Sequence, residues 1–206
     1  TKSGRWLINV EVPTSISLFS GYGGFDLALR LAGIESRTVC YVEWDKYCQS
    51  ILEARIRDGV LDDAPIWDDV REFDGLPWRG RVDIITASPP CQPYSSAGNR
   101  KGASDDRNLF PDTLRIISEV QPRRVYLENV PGLTTRPKDG RPAYAGTVVG
   151  ELAALGYDCR WDIVSAKDAG APHLRKRWWL VAERNAVEHA EHDGLANFQV
   201  ATRAQP

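Results

Sequence analysis

A strand, a glycine turn and a helix follow one another between Ser15 and Gly33, and this run constrains the fold more than any other feature. Ser15 to Ser20 (SISLFS) reads as a short buried strand. Gly21-Tyr22-Gly23-Gly24 is a tight turn, and Phe25 to Leu31 has helical periodicity that stops at Gly33. Thr38 to Val42 is the next strand, and Asp45 after it can cap a helix on which Tyr47, Ile51 and Leu52 share a face. A brief strand at Ile66-Trp67 follows, then a strand over 82–88 and a helix near 109–120 that Pro122 stops. Arg123 to Val130 is a strand and Thr147 to Leu155 a helix. Strands that alternate with helices predict an α/β fold, a mostly parallel sheet with helices on both faces. The last two strands, one around Tyr157 to Ile163 and one over Arg177 to Val181, have no helix between them. They are expected to pair antiparallel. With 206 residues, the chain is long enough for one large domain with a sizeable core.

Chemistry-bearing residues fall at strand ends. The strand ending at Ser88 runs into Pro89-Pro90-Cys91-Gln92, and the strand ending at Val130 carries Glu128-Asn129. Ligands of open parallel sheets sit at the carboxyl ends of the strands. A lone cysteine is more often a small buried hydrophobe than a nucleophile. Here Pro90 cannot continue a central strand, and Gln92 to Asn99 is polar, so Cys91 lies where a strand ends. At the first turn the glycines permit close backbone approach to a ligand, and the helix amino end favours negative charge. Glu43 ends the second strand 19 residues after Gly24, the place of an acid that holds ribose hydroxyls, and Trp44 beside it can lie against an adenine. The dinucleotide fingerprint G-x-G-x-x-G is missing. The pattern suits S-adenosylmethionine (SAM), which has no pyrophosphate.

Other readings are largely exclusions. Net charge is −2, with no global sign of nucleic-acid binding. Arg175, Lys176 and Arg177 form a basic cluster, and Arg100, Lys101 and Arg107 a looser one. Either is a solvated surface or a phosphate grip. Cys40, Cys48, Cys91 and Cys159 form no C-x-x-C pair, and His189 and His192 stand in a polar tail, so no metal site is expected. A reducing, cytoplasmic setting fits, with no membrane span or signal peptide. The chain holds no methionine and begins with Thr1. It is expected to be a piece of a longer reading frame.

Together these blocks resemble the cytosine-5 DNA methyltransferases, in the family's order over residues 15–182. SLFSGYGGFDLAL (17–29) is similar to the family's first SAM block, which implies cofactor roles for Phe19, Gly21, Tyr22, Gly23 and Gly24. Glu43 and Trp44 match its ribose and adenine contacts. DDVREF (68–73) is similar to the block whose Asp holds the adenine amino group, which favours Asp69, followed by aliphatic Val70, over Asp68. SPPCQPYSSAG (88–98) matches the catalytic loop, with Pro90 at the cofactor, Cys91 as nucleophile, and Gln92 and Ser95 at the substrate. Glu128-Asn129-Val130 matches the block that supplies the catalytic carboxylate, with Asn129 also at the substrate. AGAPHLRKRWWLVA (169–182) is similar to the Gln-x-Arg-x-Arg block and brings Arg175 and Arg177 to the active site. His173 stands where the family has Gln.

The resemblance implies a Rossmann-like SAM-dependent methyltransferase domain over 1–184, incomplete at its carboxyl side, and a tail over 185–206. It implies SAM as cofactor and double-stranded DNA as partner, with a flipped cytosine methylated at carbon 5 under a closing loop from Gln92 to Arg107. It also implies a prokaryotic or phage source, with a companion segment or a restriction endonuclease of the same system as a further partner. The family's target-recognition region and its final SAM-pocket block are missing from the sequence. A transfer-RNA cytosine methyltransferase and a catalytically incomplete DNA- or SAM-binding module are the alternatives.

Overall fold

The computed structural model describes residues 12–90, 108–137, 140 and 142–185. Seven strands, β1 (Thr14–Leu18), β2 (Arg37–Val42), β3 (Ile66–Trp67), β4 (Ile84–Ala87), β5 (Arg124–Asn129), β6 (Tyr157–Ser165) and β7 (Lys176–Arg184), form one sheet. Helices α1 (Gly24–Leu31), α2 (Lys46–Arg57), α3 (Phe110–Val120) and α4 (Tyr144–Ala154) join them. The sheet order is β3-β2-β1-β4-β5-β7-β6. Pairing from β3 to β5 is parallel, and β7 lies antiparallel between β5 and β6, as the missing helix between the last two strands requires. The order reverses between β1 and β4. At such a switch point the loops leaving neighbouring strands part and open a crevice.

Side chains alternate across the sheet, and each face has its own packing. One face presents Ile16, Ile85, Val125, Leu127 and Leu180 to Ile116 and Ile117 of α3 and Val148 and Leu152 of α4, all almost fully buried. The other places Tyr41 of β2 against Leu52 of α2 and Leu61. Helices therefore cover both faces. Among the described residues, no helix is long and apolar enough to cross a membrane.

Three local expectations differ from the structure. β1 stops at Leu18, because Phe19 turns to φ 54°, a left-handed conformation that ends pairing. Helix α4 begins at Tyr144, three residues before its expected start. Gly146 argues locally against a helix, but the buried stripe of Ala145, Val148 and Leu152 overrides that propensity. Tyr47 is 70% exposed while Leu52 is fully buried. The first turn of α2 carries Tyr47 past the end of β2, where no sheet lies beneath it.

Candidate functional site

Local backbone chemistry shapes the turn after β1. Phe19, Gly21 and Gly23 have positive φ, and a Cβ on Gly23 would stand 2.7 Å from a Leu61 methyl. Glycine is therefore required there on two counts. The Glu43 carboxylate fastens the turn to the end of β2. One oxygen accepts the Gly21 amide at 2.7 Å and the other the Asp45 amide at 2.8 Å. Asp45 in turn caps α2 by accepting the Tyr47 and Cys48 amides, which hold its carboxyl below the usual range.

A cleft of about 570 Å³ opens beside this turn. It collects Phe19, Glu43, Trp44, Asp69, Val70 and Pro90 from four separate stretches of chain. Gly21, Tyr22, Gly23 and Gly24 stay off its wall. They shape the turn, and Tyr22 is 62% exposed. Asp68 and Asp69 both reach the cleft, but Asp68 is the more exposed and pairs with Lys46 at 3.8 Å. Asp69 is bound by Arg71, whose hydrogen bonds hold its carboxyl below the usual range. Sequence reasoning missed Val42, Asp45, Arg71, Ser88 and Leu109 on the wall. For Arg71 the signal was present: a cation two residues after an acid it can fold back on.

The carboxylate and the arginine of the last two blocks meet across the sheet. Glu128 is in register with Trp179, so Arg177, two residues earlier on β7, is its diagonal neighbour on the same face. Arg177 Nε lies 2.7 Å from Glu128 Oε1, with both side chains about one-fifth exposed. Arg177 Nη1 donates to the Lys176 carbonyl, which helps fix the guanidinium. Arg177 and exposed Arg175 line a second hollow of about 400 Å³, together with Trp179 and Val164. The basic cluster therefore splits: Arg175 and Lys176 face solvent, and Arg177 serves Glu128.

Asn129, expected at the substrate, points to the opposite face and is 2% exposed. Its amide donates to the Pro89 carbonyl at 3.0 Å, and its carbonyl accepts the Val130 amide at 2.8 Å. The side chain thus ties the end of β5 to the loop leaving β4, two residues before Cys91. Cys91, Gln92 and Ser95 lie outside the described residues, as do Arg100, Lys101, Arg107, His189 and His192. Burial pushes the Cys40 and Cys159 thiols up to about 11 and raises that of Cys48. None of the described thiols is poised to ionise near neutrality.

Comparison with known proteins adds to this geometry. A family model described as C-5 cytosine-specific DNA methylase matches residues 14–205. The type II methyltransferase M.NgoMIV of Neisseria gonorrhoeae is 34% identical over 172 residues, covering 84% of this chain and 52% of that protein. The type II methyltransferase M.HhaI of Haemophilus parahaemolyticus is 33% identical over 185 residues, 89% of this chain and 51% of that protein. The crystal structure of the S. pombe Dnmt2 methyltransferase shares the fold, with a TM-score of 0.65 at 24% identity over 84% of this chain and 50% of that one. The chain spans about half the length of the curated relatives it matches.

Proposed function

The chain belongs to the C-5 cytosine-specific DNA methylase family, and from that premise we propose that its protein methylates carbon 5 of cytosine in double-stranded DNA, with Cys91 as nucleophile. The observation that carries the proposal is the Glu128–Arg177 pair, held at 2.7 Å on the same sheet edge as the acid-and-aromatic cleft.

The cleft's donor set fits SAM. Glu43 and Asp69 are acceptors suited to ribose hydroxyls and an exocyclic amine, and Phe19, Trp44, Val70 and Pro90 give apolar surface for a purine. When bound, SAM would supply an electrophilic methyl group and leave as S-adenosylhomocysteine. This chain's residues prepare the base for it. The Cys91 thiolate adds to carbon 6 of a cytosine turned out of the duplex, and the ring's electron density shifts toward carbon 5. Glu128 hydrogen-bonds ring nitrogen 3 and the exocyclic amine, where charge develops as the thiolate adds. Arg177 holds Glu128 and approaches the base oxygen. Arg175, exposed beside it, meets a flanking phosphate. Asn129 acts through the backbone of Pro89, positioning the loop that carries Cys91. Once carbon 5 carries the methyl group, its proton passes to a base and the Cys91 thiolate leaves carbon 6, which restores the ring's double bond and frees product and enzyme.

The names of the relatives, type II methyltransferases of bacteria, support a cytoplasmic role in bacterial or phage restriction–modification, with a cognate endonuclease as companion. The test is adduct formation on duplex DNA carrying 5-fluorocytosine at the cognate site, with SAM present. Fluorine blocks the final loss from carbon 5, so a denaturation-resistant protein–DNA complex is expected, and none with Cys91→Ala. A complex that persists in Cys91→Ala overturns the nucleophile. Tritiated methyl transfer to transfer RNA, with none to duplex DNA, overturns the substrate.

A further inference from the structure

Arg71 uses the two features of the cleft best suited to an adenine. Its backbone amide and Nε both donate to Asp69 Oδ1 at 3.0 Å. Nη2 donates to Oδ2 at 2.8 Å, and Nε reaches the same oxygen at 3.2 Å. A carboxylate offers about four lone-pair sites, so Arg71 alone nearly exhausts Asp69. The same guanidinium lies 5.3 Å from the centroid of the Trp44 ring, within the range of a cation–π contact. Trp44 is 65% exposed, and among the described residues Arg71 is the cation set over its ring face.

An adenine offers the same two complements, an amino donor for a carboxylate and a flat face for an indole. The Arg71 side chain is 55% exposed, whereas that of Asp69 is 14% exposed. The arginine can thus swing into water, while the acid stays on the cleft wall. We propose that Arg71 is an internal competitor for the adenine subsite, stacking on Trp44 and saturating Asp69 in the free protein, so that cofactor binding displaces it. The proposal rests on the cofactor reading of the cleft. Arg71 would set cofactor affinity below what Asp69 and Trp44 alone would give. An exposed ion pair and an exposed cation–π contact are each worth about two- to fivefold in an equilibrium.

Calorimetric titration of the full-length protein with S-adenosylhomocysteine is the test, because it reads binding without turnover. Arg71→Ala should bind about four- to twenty-fivefold tighter than wild type, the product of the two contacts. Measured against Asp69→Asn, the gain should shrink to about two- to fivefold in Asp69→Asn/Arg71→Ala, where only the Trp44 face remains to be released. Unchanged or weaker binding in Arg71→Ala overturns the proposal and makes Arg71 a group that positions Asp69 for the ligand. A gain that is as large in the Asp69→Asn background as in the wild-type one also overturns it. Glu43→Ala tests the underlying reading separately. It should weaken binding by about tenfold or more in both backgrounds, as expected for loss of a charge-assisted hydrogen bond. Affinity unmoved by Glu43→Ala in both would overturn the cofactor reading, and the role of Arg71 with it.

Discussion

Asp26 shows how much a single side chain's surroundings decide. It lies in α1, with one oxygen accepting the Ser17 hydroxyl at 2.9 Å and the other the Thr38 hydroxyl at 2.7 Å. Burial raises its pKa, and these two hydroxyls only partly oppose the effect. The folded state therefore holds the Asp26 proton more tightly than the unfolded chain does. Its contribution to stability is complete below the ordinary Asp pKa of about 3.9 and is lost as pH rises through the raised folded value. At neutral pH the buried charge is a net cost. Asp26→Asn should raise the urea midpoint at pH 7, since an amide can still bond both hydroxyls. The advantage should shrink as pH falls toward the ordinary Asp range. An equal midpoint shift at every pH would mean that the gain is not electrostatic.

Between elements, the described contact that most directly couples the proposed chemistry to the fold is the Asn129 side chain, which bridges the ends of β4 and β5. Asn129→Ala removes its bonds to the buried Pro89 carbonyl and the part-buried Val130 amide and leaves both groups to find new partners. The expected cost is about 1–3 kcal/mol, read from urea unfolding. The rate of adduct formation on 5-fluorocytosine DNA should fall by more than the unfolded fraction accounts for, because the loop bearing Cys91 loses its tether. If rate and folded fraction fall together, Asn129 supports the fold alone. The Glu128–Arg177 pair depends on elements in another way. Register and strand direction, not local sequence, bring position 177 diagonally across from 128.

For the molecule as a whole, the two ends of the sheet are finished differently. Under α2, Tyr41 and Leu52 are fully buried. At the β5-β7-β6 end, the face that carries Glu128 and Arg177 leaves Val164, Trp179 and Val181 about 36–40% exposed. Phe25 of α1 meets Trp179 edge-on, with ring centroids 5.5 Å apart. Partly exposed apolar side chains favour association even where, as here, Glu128, Arg160, Asp162 and Arg177 stand among them. The 206-residue chain is expected to bind an apolar dye and to sediment with concentration-dependent mass. Val181→Lys should reduce both with a change in unfolding midpoint within about 0.5 kcal/mol, as for a surface substitution. A chain that sediments as a monomer at all concentrations, without binding the dye, would show that this face is closed in solution.

By themselves, the residues determined the alternation of strands and helices, the antiparallel end of the sheet and the candidate residues of the cleft. These are local matters: glycines where φ is positive, hydrophobic periodicity, and acids at strand ends. Phe19, Glu43, Trp44, Asp69, Val70 and Pro90 were legible because each sits in a short motif with its own chemical signature. The structure alone decided where side chains point and what they share. Asn129 follows Glu128 directly in sequence, yet strand geometry sends it to the other face and makes it a tether. Arg177 stands in a run of three cations, and pairing with β5 turns it alone to Glu128. Arg71 is one charge in DDVREF until folding sets it over Trp44. Direction and partnership depend on contacts between residues distant in sequence, and no local pattern encodes those.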